Sequence, residues 1–141
     1  MEYIELNNGI KMPMLGLGTY LLTPDEAENS VEVALKNGYK LIDTANAYVN
    51  EKAVGRGIKK SEIDRSEIFL ETKLWPSFYE DDDAIEKTLK RLDTDYIDLM
   101  ILHQPAGNYI EGYKKLEEDI EEENYYQQQL YRQQHHQWHS E

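Results

Sequence analysis

Over the first 118 residues, short apolar runs alternate with amphipathic stretches. Tyr3–Leu6 and Lys11–Met14 flank Asn7-Asn8-Gly9. Asn-Gly tolerates positive φ at both positions, so this stretch predicts a two-residue hairpin. Leu15-Gly16-Leu17-Gly18-Thr19 is short and apolar and predicts a first parallel-type strand. Thr23-Pro24-Asp25-Glu26 then combines an N-cap residue, proline at the first helical position and acids in the first turn. It predicts a helix to about Asn37, stopped by Gly38, with Ala27, Val31, Ala34 and Leu35 as its inward stripe.

The same alternation recurs three times. Tyr39–Asp43 predicts a second strand, and Asn50-Glu51 opens a helix through Val54 and Ile58 to Lys59 or Lys60. Glu67–Lys73 predicts a third strand. Asp81-Asp82-Asp83 caps a third helix with Ile85, Leu89 and Leu92 inward. Tyr96–His103 predicts a fourth strand whose centre, Leu99-Met100-Ile101-Leu102, is apolar without alternation, as in a parallel strand buried on both faces. A fourth helix covers Ile110 to at least Leu116. A hairpin followed by four β-α units implies an α/β fold with a parallel sheet and right-handed crossovers. Two architectures fit, an open doubly wound sheet or part of a (β/α)8 barrel. Gly16-Leu-Gly18 resembles the start of a dinucleotide-binding loop, but the third glycine position holds Leu21 and no helix begins at Gly18.

The pattern fails near Leu116. The last fifteen residues hold six glutamines, and residues 117–141 contain seven acids and one base. Such a segment buries little and is expected to be disordered or a solvated continuation of the fourth helix. The division is therefore 1–118 as an ordered α/β unit and 119–141 as an acidic, glutamine-rich tail. His135, His136 and His139 put only two ligands on one helix face, so no metal site is expected.

Composition narrows the partners. The chain has 141 residues and a net charge of -13. This argues against nucleic acid and against anionic membrane surfaces as partners. It contains no cysteine, which removes disulfides, thiolate zinc sites and cysteine nucleophiles. No apolar run is long enough to span a bilayer, and Met1–Pro13 lacks the features of a signal peptide. A soluble, cytoplasmic protein is the expectation.

Candidate chemistry gathers at strand ends. Asp43, Lys73 and His103 close three successive predicted strands, and Tyr48 lies in the loop after Asp43. Each has an ordinary structural explanation: a turn cap, a solvated strand-end lysine, a loop-entry histidine, a half-buried aromatic. Together, on the edge where parallel sheets collect their C-termini, they suit proton donation to a carbonyl. A free phenol is a poor acid at neutral pH, and an adjacent ammonium stabilises its phenolate. Asp43 would hold Lys73 charged, and a neutral His103 would direct a carbonyl oxygen toward Tyr48. No side chain supplies hydride, so a nicotinamide cofactor is implied.

The stretches MPMLGLGTY, LIDTANAY, ETKLW and LMILHQP resemble those of aldo-keto reductases over residues 3–118. The resemblance implies an N-terminal hairpin plus four β/α units of a (β/α)8 TIM barrel, that is, a half barrel, with the hairpin as a plug across the barrel bottom. It implies NADP(H)-dependent reduction of aldehydes or ketones. Tyr48 would be the general acid, Lys73 and Asp43 would tune it, and His103 would orient the carbonyl. Tyr20 and Trp75 would wall the substrate pocket, and Thr19 and Asp43 would lie near the nicotinamide ribose. The family's later cofactor-binding groups have no counterpart after Asp119. The alternative is therefore a truncated, catalytically incomplete fragment acting as an interaction or assembly module; a third reading makes the acidic, glutamine-rich tail itself a helical partner-binding segment. A half barrel is expected to expose two strand edges and its inner face, and to associate, for example as a homodimer completing one barrel.

Overall fold

The computed structural model describes residues 1–121. Strands β1 (Tyr3–Glu5) and β2 (Lys11–Pro13) pair antiparallel, Ile4 opposite Met12. Their connection is three residues, not two. The Leu6 amide donates to the Ile10 carbonyl at 2.8 Å, and only Gly9 takes the left-handed conformation, φ 84°. Asn8 keeps a negative φ, and its side-chain oxygen accepts the Ile10 N–H at 3.2 Å, so one glycine suffices to reverse the chain.

There follow β3 (Gly16–Gly18), α1 (Pro24–Lys36), β4 (Leu41–Asp43), α2 (Glu51–Ser61), β5 (Phe69–Leu74), α3 (Ala84–Leu92), β6 (Leu99–Leu102) and α4 (Tyr109–Glu121). β3 to β6 form one parallel sheet in sequence order. This is the partial-barrel arrangement, and the doubly wound alternative is set aside because each new strand adds on the same side of the last. β3 and β6 each pair on one side only among the described residues.

Helix α1 starts with a full capping box. The Thr23 hydroxyl accepts the Glu26 N–H at 3.3 Å, and the Glu26 carboxylate accepts the Thr23 N–H at 2.9 Å. Neither Asn50 nor Asp83 caps its helix with its side chain. Asp83 pairs with Lys87 at 2.8 Å instead, and Asn50 is used elsewhere, as described below. β5 begins two residues later than its composition suggests, because Arg65–Glu67 forms a 3-10 turn capped by Asp64. α4 continues through residue 118 to Glu121. Residues 122–141, with most of the proposed tail and its three histidines, lie outside the described residues.

The sheet separates two apolar layers. Its outer face meets the helices, where Ile42, Leu70 and Met100 pack with Val31, Leu35, Val54, Leu89 and Leu92. α2 fits closely between its neighbours because it carries glycine at both contacts. A Cβ on Gly57 would stand 2.6 Å from the Glu28 carbonyl of α1, and one on Gly55 would stand 2.5 Å from the Leu92 carbonyl of α3. On the inner face Leu41, Phe69 and Leu99 pack with Leu6 and Met12 of the hairpin. These three are only 7, 7 and 2% exposed, so the inner face does not meet water at its lower end as a half barrel was expected to. The hairpin folds beneath it and covers it. Among the described residues, no helix is long and apolar enough to cross a membrane.

Candidate active site

The register decides which side chains share the inner face. Asp43 pairs with Glu71, Glu71 with Leu99, and Lys73 with Ile101. Paired residues point to the same side, and alternate residues along a strand do too. Asp43, Glu71, Lys73 and His103 therefore all face inward. Only Asp43 ends its strand. Lys73 is the penultimate residue of β5, and His103 follows β6, where its N–H extends the ladder to the Leu74 carbonyl at 2.9 Å. The three sequence-predicted groups thus climb by two residues per strand, as the tilted strands of a barrel require.

Lys73 is the hub of the site. Its ammonium pairs with the Asp43 carboxylate, donates to the Thr44 carbonyl at 3.0 Å and lies 3.9 Å from a Glu71 oxygen. It also stands 5.3 Å from the centroid of the Tyr48 ring. Tyr48 ends the 3-10 turn Asn46–Tyr48 that follows β4, which carries its ring over the strand ends. The Tyr48 ring meets His103 edge-on at 5.8 Å, and His103 meets Trp75 edge-on at 5.3 Å. Tyr20 lies 5.1 Å from Tyr48 on the other side. Tyr20, Tyr48, His103 and Trp75 make a continuous aromatic arc above the Asp43–Lys73 pair. All four candidate catalytic residues and both candidate substrate-wall residues are brought together.

Thr19 lies beside Asp43, the other residue expected near a nicotinamide ribose. It is fully buried, and its hydroxyl donates to the Asp43 carbonyl at 3.2 Å, so it braces Asp43 rather than presenting a hydroxyl to a ligand. Burial, and then the positive charge of Lys73, push the His103 imidazole below its ordinary value of 6.5, with Asp43 opposing. His103 is therefore neutral at pH 7. Its Nδ1 is buried with no hydrogen-bond partner among the described residues, and the ring is partly exposed, which leaves Nε2 to meet a ligand.

Three residues escaped the sequence reading. Glu71 is a carboxyl 11% exposed at the centre of the site. A glutamate two positions before Lys73 in an apolar strand was the available signal, since that spacing puts both on one face. Asn50 ties the loops together: its amide donates to the Thr19 and Leu22 carbonyls at 2.9 and 3.1 Å, and its oxygen accepts the Thr44 hydroxyl at 3.2 Å. Asn46 accepts the Trp75 N–H at 3.0 Å, fixing the loop after β5 to the turn that carries Tyr48.

The profile of the Aldo/keto reductase family matches residues 14–122, more than half of the sequence. The chain belongs to that family. It is 42% identical over 120 residues to the morphine 6-dehydrogenase of Pseudomonas putida, which covers 81% of this chain and 40% of that protein. It is 43% identical over 121 residues to the glyoxal reductase of Bacillus subtilis, covering 82% and 44%. Among solved structures, the aldo/keto reductase of Brucella melitensis superposes with a TM-score of 0.84 at 39% identity, over 92% of this chain and 52% of that one. The Bombyx mori aldo-keto reductase in complex with NADP gives 0.83 at 30%, over 92% and 50%. The chain spans less than half the length of the curated aldo/keto reductases it matches. Within that span, the layer of strands and helices is the family's.

Proposed function

We propose that this chain carries the proton-donating half of an NADP(H)-dependent reductase of aldehydes and ketones acting in the cytoplasm. The observation that carries the reading is the packing of Tyr48 between the Lys73 ammonium and a neutral His103. A carbonyl oxygen entering beneath the aromatic arc meets His103 Nε2 and the Tyr48 hydroxyl. His103, uncharged, orients the oxygen without competing as an acid. Tyr48 delivers its proton as negative charge grows on that oxygen, and the Lys73 ammonium stabilises the phenolate left behind. Asp43 holds Lys73 in place, and Thr19 and Thr44 hold the strand ends from which they project. Tyr20 and Trp75 flank the entrance, one against Tyr48 and the other against His103. A nicotinamide bound beside Asp43 would supply the hydride.

The residues present suit the nicotinamide end of such a cofactor. The Asp43 carboxylate is 30% exposed beside the exposed Gly18, where a Cβ would stand in ordinary contact with it at 3.9 Å, so a hydrogen-bond acceptor is open to a ligand next to backbone that carries no side chain. The only cation facing this space among the groups described above, Lys73, is already engaged by Asp43. The phosphates therefore need partners from beyond this layer. That point, with the partial coverage of the relatives, favours a second reading in which the chain acts only after assembly with the remaining strands of a barrel, or serves as an assembly module.

Carbonyl-dependent loss of NADPH absorbance tests the first reading. Turnover that falls by roughly 10²–10⁴-fold in Tyr48→Phe supports it. A folded sample with no turnover rejects it for this chain. Calorimetric titration with NADP⁺ separates the readings, since tight binding of defined stoichiometry contradicts the incomplete module.

A further inference from the structure

We propose that Glu71, held between Asp43 and Lys73, is a positioning residue that sets how much of the Lys73 positive charge is left for the Tyr48 ring. This rests on the reading of the site given above and assigns a role that reading does not use. Two carboxyls share one ammonium on the inner face. Asp43 takes the closer place, and Glu71 stands 3.9 Å from the same nitrogen with a side chain only 11% exposed. A charge on Glu71, facing inward on the strand beside Asp43 and only 11% exposed, is opposed by the Asp43 carboxylate. The charged groups that face Glu71 are Asp43 on β4 and Lys73 on its own strand, with His103 beyond them after β6. Its paired residue on β6, Leu99, is apolar and buried, as are the inward-facing residues two positions below, Leu41 on β4 and Phe69 on β5.

Burial raises the Glu71 carboxyl to about 7. The Asp43 charge and a hydrogen bond shared with Asp43 push the same way, and Lys73 opposes them. Below that point Glu71 keeps its proton, so Asp43 alone balances Lys73 and the trio is neutral overall. Above it the trio carries a net negative charge. The ammonium's field at the Tyr48 ring, 5.3 Å away, is then partly cancelled, and a developing phenolate is less well stabilised. Glu71 reaches the acid only through Lys73, hence a positioning and not a catalytic role.

The test is a carbon NMR titration of the full chain over roughly pH 4–9, with the Glu71 carboxyl assigned by its loss in Glu71→Gln and the Lys73 side chain by Lys73→Met. The expected result is a Glu71 midpoint near 7 and an inflection of the Lys73 Cε resonance at the same pH, absent in Glu71→Gln. On the same samples, kcat for carbonyl reduction falls through that midpoint in the wild type and stays level in Glu71→Gln. A Glu71 midpoint in the ordinary carboxylate range of about 4–5 overturns the proposal whether or not the variant folds. So does a Lys73 resonance that is blind to Glu71, or a kcat decline that persists in Glu71→Gln. Absence of turnover in every sample counts against the reductase reading alone, because the resonances still decide the role of Glu71.

Discussion

Val49 follows the candidate acid directly and sits at φ 58°, a conformation that a β-branched side chain adopts only under strain. It is 85% exposed, so no packing rewards the strain. The neighbouring turn holds it there, because its N–H closes the turn on the Asn46 carbonyl. Backbone strain of this kind gathers where a fold over-determines a functional side chain, here Tyr48. Val49→Asn, which tolerates the left-handed region, is expected to stabilise the protein by about 1 kcal/mol. Urea denaturation reads that gain, and an unchanged midpoint refutes the strain. Glu71 makes a second residue-scale prediction. Its folded value lies above its unfolded one, near 4.5, so its contribution to stability is complete below pH 4.5 and is lost as pH rises through about 7. The loss is at most about 3 kcal/mol. Thermal melts across this window should decline more steeply for the wild type than for Glu71→Gln. His103 runs the other way: its value is lowered on folding, so its contribution is present above 6.5 and is lost as pH falls through the depressed value.

At the scale of elements, the loops on the active edge are joined by side chains rather than by helix caps. Asn50→Ala leaves the Thr19 and Leu22 carbonyls and the Thr44 hydroxyl without their partner in a buried place. A cost of roughly 2–3 kcal/mol is expected and, on the reductase reading proposed above, a loss of carbonyl reduction that exceeds what the lower stability explains. Equal activity per folded molecule would show that the loops hold their positions without Asn50. Most elements were legible because their signals are local. The Thr23–Glu26 box, the apolar stripe of α1 and the unbroken Leu99–Leu102 run each mark a structure that the same few residues enforce. The inward convergence of Asp43, Lys73 and His103 was legible for a related reason, since strand ends are visible as the ends of apolar runs. What was hidden depends on pairing across the sheet. Glu71 belongs to the site only because β4 and β5 align it with Asp43, and Asn50 looks like a cap until the neighbouring loop supplies its carbonyls. Thr19 is buried for a similar reason, its hydroxyl donating to the Asp43 carbonyl of the next strand.

For the whole molecule, the decisive fact is that four parallel strands are covered on the outside by helices and below by the hairpin, while β3 and β6 each keep one unpaired edge among the described residues. Unpaired parallel edges recruit further strands. A chain of these 141 residues is expected to associate in solution, and sedimentation velocity across a concentration series should show it. A compact species whose mass stays that of one chain at every concentration would contradict this.

The two-residue climb from Asp43 to Lys73 to His103 has a bearing on which insertions and deletions the gene tolerates. One residue gained or lost between Phe69 and Leu74 would send the Lys73 amine outward among the helices and bring a neighbour to its place. Changes in chain length inside β4, β5 or β6 are therefore ruinous, and variation among functional descendants of this sequence should be confined to the loops between these strands.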